Sequence, residues 1–392
     1  MKALGLLAAL LLAPGDGDET TAITQVRIIP VGRDEIASGT IVLRGGKIVE
    51  LGADVKPPAG AALIDGKGRV AFPGLVHLFT RIGTAGTSGG GGGNSPQNLA
   101  AEEINPSLDV FERLTRAGVT VCGIFPAGGV LAGQGVTIKP LGGTREEMIL
   151  DRSAFLMVHM QASTSAKDGL KQAFEAAKKA IESEKKPAVA TGKPAEGAPK
   201  PATPAKPDEK TESLVKFLKG EMPALVAVSS AAEILHFWQV LEGFAEFGKV
   251  RVVLVAGPEA WKAAAELGSR KARVALNPTL TFVPQTRIRV NGAAEIARSG
   301  ARLALVPDGD SPWALEGYLF QVGELVKHGL GREEALKAIT LTPAEFLGLD
   351  KRVGSLEAGK DADLLLLDGD PLSAQTRIRR VFIGGKVVHS ED

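Results

Sequence analysis

The sequence predicts an α/β chain: a TIM-type (β/α)8 barrel flanked by β-rich segments at both ends. First, short apolar runs such as "VTVCGIF", "ALVAVS", "RVVLVAG" and "RLALVPD" alternate with helical patterns such as "SAAEILHFWQVLEGFAEFG" and "GPEAWKAAAELG". Uniformly apolar strands between amphipathic helices describe a parallel sheet buried on both faces. Second, about 280 residues of this alternation suit eight strand–helix units. Third, residues 22–55 and 353–390 alternate apolar and polar instead, with glycine pairs at Gly45-Gly46 and Gly384-Gly385 placed to turn hairpins.

Taken in order, the chain opens with "MKALGLLAALLLAPGDGDE". One lysine, an apolar run and small residues before an acidic segment form a secretory leader, residues 1–15, cleaved after Gly15. The apolar run is short for a bilayer span, and no cysteine follows it to carry a lipid. The mature chain is therefore expected to be soluble and exported, periplasmic or extracellular, with no membrane span. "AFPGLVHLFTRIG", residues 71–83, is the first barrel strand, and the glycine run of residues 86–96 is a loop after it. Residues 185–211, "KKPAVATGKPAEGAPKPATPAKPDEKT", hold almost no large apolar side chain. They cannot bury enough surface to offset the entropy of ordering, so they read as a flexible insertion in a barrel loop. The functional alternative is a docking arm for an envelope or polyanionic partner.

Bulk composition excludes several classes. The 392 residues are 44% hydrophobic with a net charge of +1, which gives no electrostatic reason to expect nucleic acid. The single cysteine, Cys122, excludes an internal disulfide and a thiolate zinc cage.

The run "GSLEAGKDADLLLLD" with "VFIGGKVV" near the C-terminus, and "IVLRGGKIVELG" with "AFPGL" near the N-terminus, resemble the amidohydrolase superfamily, in particular its imidazolonepropionase-like subgroup. "RAGVTVCGIFPAGGVLAGQGVTIK", residues 116–139, is similar to that subgroup's second barrel strand and following loop. The resemblance implies a barrel over residues 71–352 and a small β-sandwich built from residues 20–70 and 353–392. It also implies a divalent metal held by histidines, a lysine and an aspartate. Metal-bound water would attack a C–N bond while the aspartate moves the proton.

The positions that would carry this chemistry are occupied by other residues. After Pro73-Gly74-Leu75-Val76 comes His77, and Phe79 and Arg81 stand where the resemblance places a histidine pair. Alternation puts residues 77, 79 and 81 on the barrel interior. Arg81 has no lone pair to give a metal. Leu156 stands at the lysine position, and Ala227 and Ala256 at the two histidine-bearing strand ends. Only the last strand keeps its carboxylate, as Asp308 or Asp310, one of which is the candidate catalytic base. No metal or other cofactor is therefore expected; zinc or another divalent ion would enter only if this register is wrong.

The other histidines form no ligand spacing. His159 has the opposite parity to Leu156, His236 lies among helix-packing residues, and His328 precedes Gly329 at a helix end. A buried Arg81 needs a partner. Asp308 or Asp310 would serve in a salt bridge, the alternative being that Arg81 reaches solvent; in a sharper version Arg81 binds a small anionic ligand, with His77 as a second candidate contact. Gln134 and Lys139 follow the second strand, on the side where barrel sites lie, or form a β-hairpin lip; neither is assigned a catalytic role. Three functions compete: a metal-poor amidohydrolase, an inactive homologue binding a small ligand at the barrel mouth, and an envelope scaffold. A homo-oligomer is compatible with each.

Overall fold

Both chain ends feed one eight-stranded sheet. In the computed structural model, which describes residues 19–84, 93–141, 143–185 and 208–391, this sheet begins with β1 (Thr21–Ile28), β2 (Ile36–Arg44), β3 (Lys47–Gly52), β4 (Ala62–Asp65) and β5 (Val70–Pro73). The barrel strands follow as β6 (Leu75–Thr80), β7 (Val119–Ile124), β8 (Leu131–Ile138), β9 (Ile149–His159), β10 (Ala224–Val228), β11 (Val252–Ala256) and β12 (Arg273–Leu276). A small hairpin, β13 (Thr281–Phe282) and β14 (Arg289–Val290), precedes the last barrel strand, β15 (Arg302–Leu305). The chain returns to the end-built sheet as β16 (Leu364–Leu367), β17 (Ile378–Ile383) and β18 (Lys386–Ser390).

In the end-built sheet, β16 joins antiparallel to β5, which runs parallel to β1. The two glycine pairs turn β2 into β3 and β17 into β18, all four at positive φ. That conformation matches the strand twist in tight hairpins. The two turns also meet: a Cβ on Gly46 would lie 3.2 Å from the Gly384 carbonyl oxygen. Lys139 fastens this sheet to the barrel. Buried with Asp361 and Asp363, its Nζ lies 2.8 Å from a carboxylate oxygen of each. Lys47 and Arg352 reach Asp361 from outside.

The barrel sheet runs β15-β12-β11-β10-β9-β8-β7-β6. Its parallel strands alternate between two packing layers. Leu225, Val253, Ala275 and Ala304 fill the lumen, with Phe346 and Leu347 beside them. Val226, Leu254, Val274 and Leu303 face outward to helix residues such as Phe174, Phe217 and Ile296. Burial on both faces is why these runs lack alternation.

One strand departs from the regular (β/α)8 plan. β8 pairs antiparallel with both β7 and β9. Residues 125–130 are its sole link to β7, too short for the crossover that a parallel partner needs. Lys139 therefore lies at the opposite end from the mouth, a correction to the sequence reading, and Gln134 is buried within β8. The helices Thr164–Lys185 and Glu209–Leu218 reach into the ends of the segment read as an insertion. The rest of that segment, the leader and most of the glycine run lie outside the described residues. Among the described residues, no helix is long and apolar enough to cross a membrane.

Candidate functional site

The C-terminal ends of the parallel strands form the mouth, where sites of this fold lie. β6 does not alternate simply there. Its register to β7 shifts between Leu75 and Val76 and again between His77 and Thr80. Val76 and Leu78 pack with the lumen residues, so the expectation that 77, 79 and 81 share one clean interior face is corrected by these irregularities. His77 is 2% exposed, with Nε2 3.5 Å from Asp310. Phe79 stacks on Phe125 with ring centroids 4.2 Å apart, and Phe125 meets His159 edge-on at 5.9 Å.

Asp310 closes the seam between the first and last barrel strands. Thr80 donates its hydroxyl to Oδ1 at 2.5 Å, and the Arg81 main-chain N–H donates to Oδ2 at 3.2 Å. Burial pushes this carboxyl up, but His77, the Thr80 hydroxyl and the Arg81 N–H together hold it below its ordinary value. A depressed carboxylate contributes stability that is full above the unfolded value near 3.8 and is lost as pH falls through the folded one. Asp310→Asn is expected to cost about 1–2 kcal/mol at pH 7, allowing for solvent screening of a carboxylate one-third exposed. Urea midpoints from pH 2 to pH 7 check this, and an undiminished acid slope in Asp310→Asn would contradict it.

The salt bridge expected from Arg81 to Asp308 or Asp310 does not form: Asp310 takes the main-chain N–H instead. Among the described residues the Arg81 guanidinium makes no hydrogen bond or ion pair, and its Nε is buried without a partner. It nonetheless lies near Glu103 and His159. Burial raises the Glu103 carboxyl, with Arg81 opposing; burial and then Arg81 lower the His159 pKa, keeping that imidazole neutral. Asp308 is exposed and accepts from Asn277 Nδ2 at 2.8 Å. Beside it lies a cavity of about 220 Å³, lined by Trp261, Leu276, Asn277, Thr279 and Gly292 among others.

Two of the positions read as vacated ligand sites face elsewhere. Leu156 and Ala256 belong to the outer layer with the helices, whereas Ala227 packs with the lumen. On β9 the lumen layer is Phe155 and Met157, and the same parity brings His159 to the mouth. Sequence reasoning set His159 aside because it took its parity from Leu156. It also missed Phe125, Glu103 and Asn277, which lie far along the chain from the residues they meet.

The Amidohydrolase family model matches residues 218–388. A crystal structure of an amidohydrolase from Thermotoga maritima superposes with a TM-score of 0.80 at 26% identity, covering 95% of this chain and 100% of that one. The chain belongs to the amidohydrolase superfamily. Among curated amidohydrolase relatives, imidazolonepropionase from Sphingopyxis alaskensis is 36% identical over 121 residues, 30% of this chain and 29% of that protein. N-acetylglucosamine-6-phosphate deacetylase from Bos taurus is 39% identical over 79 residues, 19% of this chain and 18% of that protein. The matched segments thus span less than a third of either relative.

An amidohydrolase barrel implies a divalent metal, and a catalytic ion needs about three protein ligands. The residues at this mouth do not fit one. Phe79 and Arg81 offer no lone pair, and the Phe79 ring is committed to Phe125. Among the described residues, no three His, Cys, Asp or Glu side chains converge to hold an ion.

Proposed function

We propose that this amidohydrolase-superfamily protein has lost its metal and binds a small carboxylate-bearing ligand at the barrel mouth, without hydrolysing it through metal-activated water. The observation that carries the reading is the Arg81 guanidinium, unpaired among the described residues and with a buried Nε. A half-buried guanidinium whose neighbouring carboxylate, Glu103, makes no direct ion pair with it is incompletely satisfied, and a ligand carboxylate would supply two acceptors to its planar fork. The neutral His159 and the Phe79–Phe125 stack give the rest of such a ligand an apolar, weakly polar surface.

Two measurements test it. After exposure to zinc and desalting, the protein is expected to retain less than about a tenth of an equivalent, where a resident three-ligand site would retain near one. Titration with N-acyl amino acids and dipeptides is expected to give saturable binding without turnover. Arg81→Met should weaken that binding by about tenfold or more. Equal affinity in the variant, or a full equivalent of zinc, would overturn the proposal.

A second reading rests on Asp308, which is exposed, held by Asn277 and open to the adjacent cavity. Were hydrolysis retained, Asp308 rather than the strapped Asp310 would act as base, and turnover would disappear in Asp308→Asn.

A further inference from the structure

The rim opposite the mouth carries a cluster that the mouth chemistry does not use. Arg251 immediately precedes β11, Arg273 opens β12 and Arg302 opens β15, three neighbouring parallel strands. Arg273 and Arg302 are register partners, and Arg273 lies opposite Val253, two residues after Arg251. Each arginine shares its parity with a lumen residue two positions on: Val253, Ala275 and Ala304. All three side chains therefore leave the sheet toward the barrel axis. Parallel strands lie about 4.8 Å apart, so three long side chains starting from adjacent strands can reach a common point.

Their charges are only partly matched. Arg302 pairs with Glu345 and lies over the Phe346 ring, 5.7 Å from its centroid. Arg251 gives one N–H to the Glu221 carbonyl oxygen at 3.0 Å, while its Nε is buried without a partner. Arg273 is half-buried and, among the described residues, makes neither an ion pair nor a hydrogen bond. Burial, then the charges of Arg302 and Arg251, push its pKa below the ordinary value. A guanidinium does not lose its proton to relieve such repulsion. An added anion would relieve it and supply acceptors for the free N–H groups.

We propose that this rim is a binding site for a phosphate-sized oxyanion, centred on Arg273 with Arg251 and Arg302 flanking it. The site lies at the N-terminal ends of the strands and is independent of Arg81 at the other end. The experiment compares thermal unfolding of the full chain in inorganic phosphate, sulfate and chloride at matched ionic strength. Phosphate is expected to raise the Tm saturably, with chloride inert. Arg273→Met should weaken the phosphate response by about tenfold to a hundredfold. In chloride alone that variant should be at least as stable as the parent, because the repulsion is gone. Arg251→Gln should weaken the response as well, while Arg81→Met should leave it unchanged. An equal rise in chloride, an equal phosphate response in Arg273→Met, or loss of the response in Arg81→Met would each overturn the proposal.

Discussion

Replacing Lys139 with methionine is expected to destabilise the protein by about 3–5 kcal/mol at neutral pH, the cost of leaving a buried charge unpaired. The burden falls unequally on its two partners. Asp361 keeps Lys47 and Arg352. Among the described residues, Asp363 keeps only the Gly384 main-chain N–H, at 2.7 Å. Burial already pushes the Asp363 carboxyl up against the opposing pull of Lys139, and removing the lysine raises it further. A carboxylate raised in the folded state carries a penalty that grows as pH rises through its folded value and fades in acid. The variant should therefore differ least from the parent near pH 4 and most near pH 8. Despite burial, Lys139, Lys47 and Arg352 hold Asp361 down to about 2, so it does not titrate across that range in the parent. Urea unfolding at both pH values measures the effect. Adding Asp363→Asn to Lys139→Met should recover most of the loss; a double variant no more stable than the single one would assign the cost to packing of the lysine stem instead.

Phe155→Ala is expected to cost about 3–5 kcal/mol, the usual range for emptying a buried phenyl site. Phe155 is fully buried in the lumen layer and pairs across the sheet with Gly135 of β8. Its ring lies so close to that glycine that a Cβ there would sit 2.1 Å from ring carbons. Gly135→Ala should then cost about 1–3 kcal/mol in the parent by overpacking, and little in the Phe155→Ala background. Thermal or urea unfolding of the four proteins in this cycle measures the coupling. Additive costs would show that the ring and the glycine do not constrain one another, and would remove this explanation for a bare backbone at Gly135.

The motif that made the resemblance most specific turns out to have a structural use. In "GSLEAGKDADLLLLD" the two aspartates of the "KDAD" segment are Asp361 and Asp363, which hold Lys139 and join the end-built sheet to the barrel. A local motif can be recognised without its partner, but Lys139 lies more than 200 residues earlier and nothing local announces the pairing. The antiparallel β8 was legible in principle, because the link at residues 125–130 is too short for a crossover. The resemblance assigns residues 116–139 to a strand and a following loop, and so leaves the antiparallel strand within that loop unassigned.

The sequence by itself determined the alternation of buried strands with helices, the glycine-paired hairpins at both ends, the family, and the presence of Phe79 and Arg81 in the first barrel strand. These follow from local pattern and residue chemistry. Only the tertiary structure decided which faces those residues present. The irregular β6–β7 register breaks the simple parity of residues 77 to 81, while the layering of β9 and β11 places Leu156 and Ala256 in the outer packing and brings His159 to the mouth. Asp310 spends its carboxylate on Thr80 and the Arg81 main chain, leaving the guanidinium without an ion pair among the described residues. Register and partner choice depend on how distant strands settle against one another, and one residue of slip reverses every side chain on a strand.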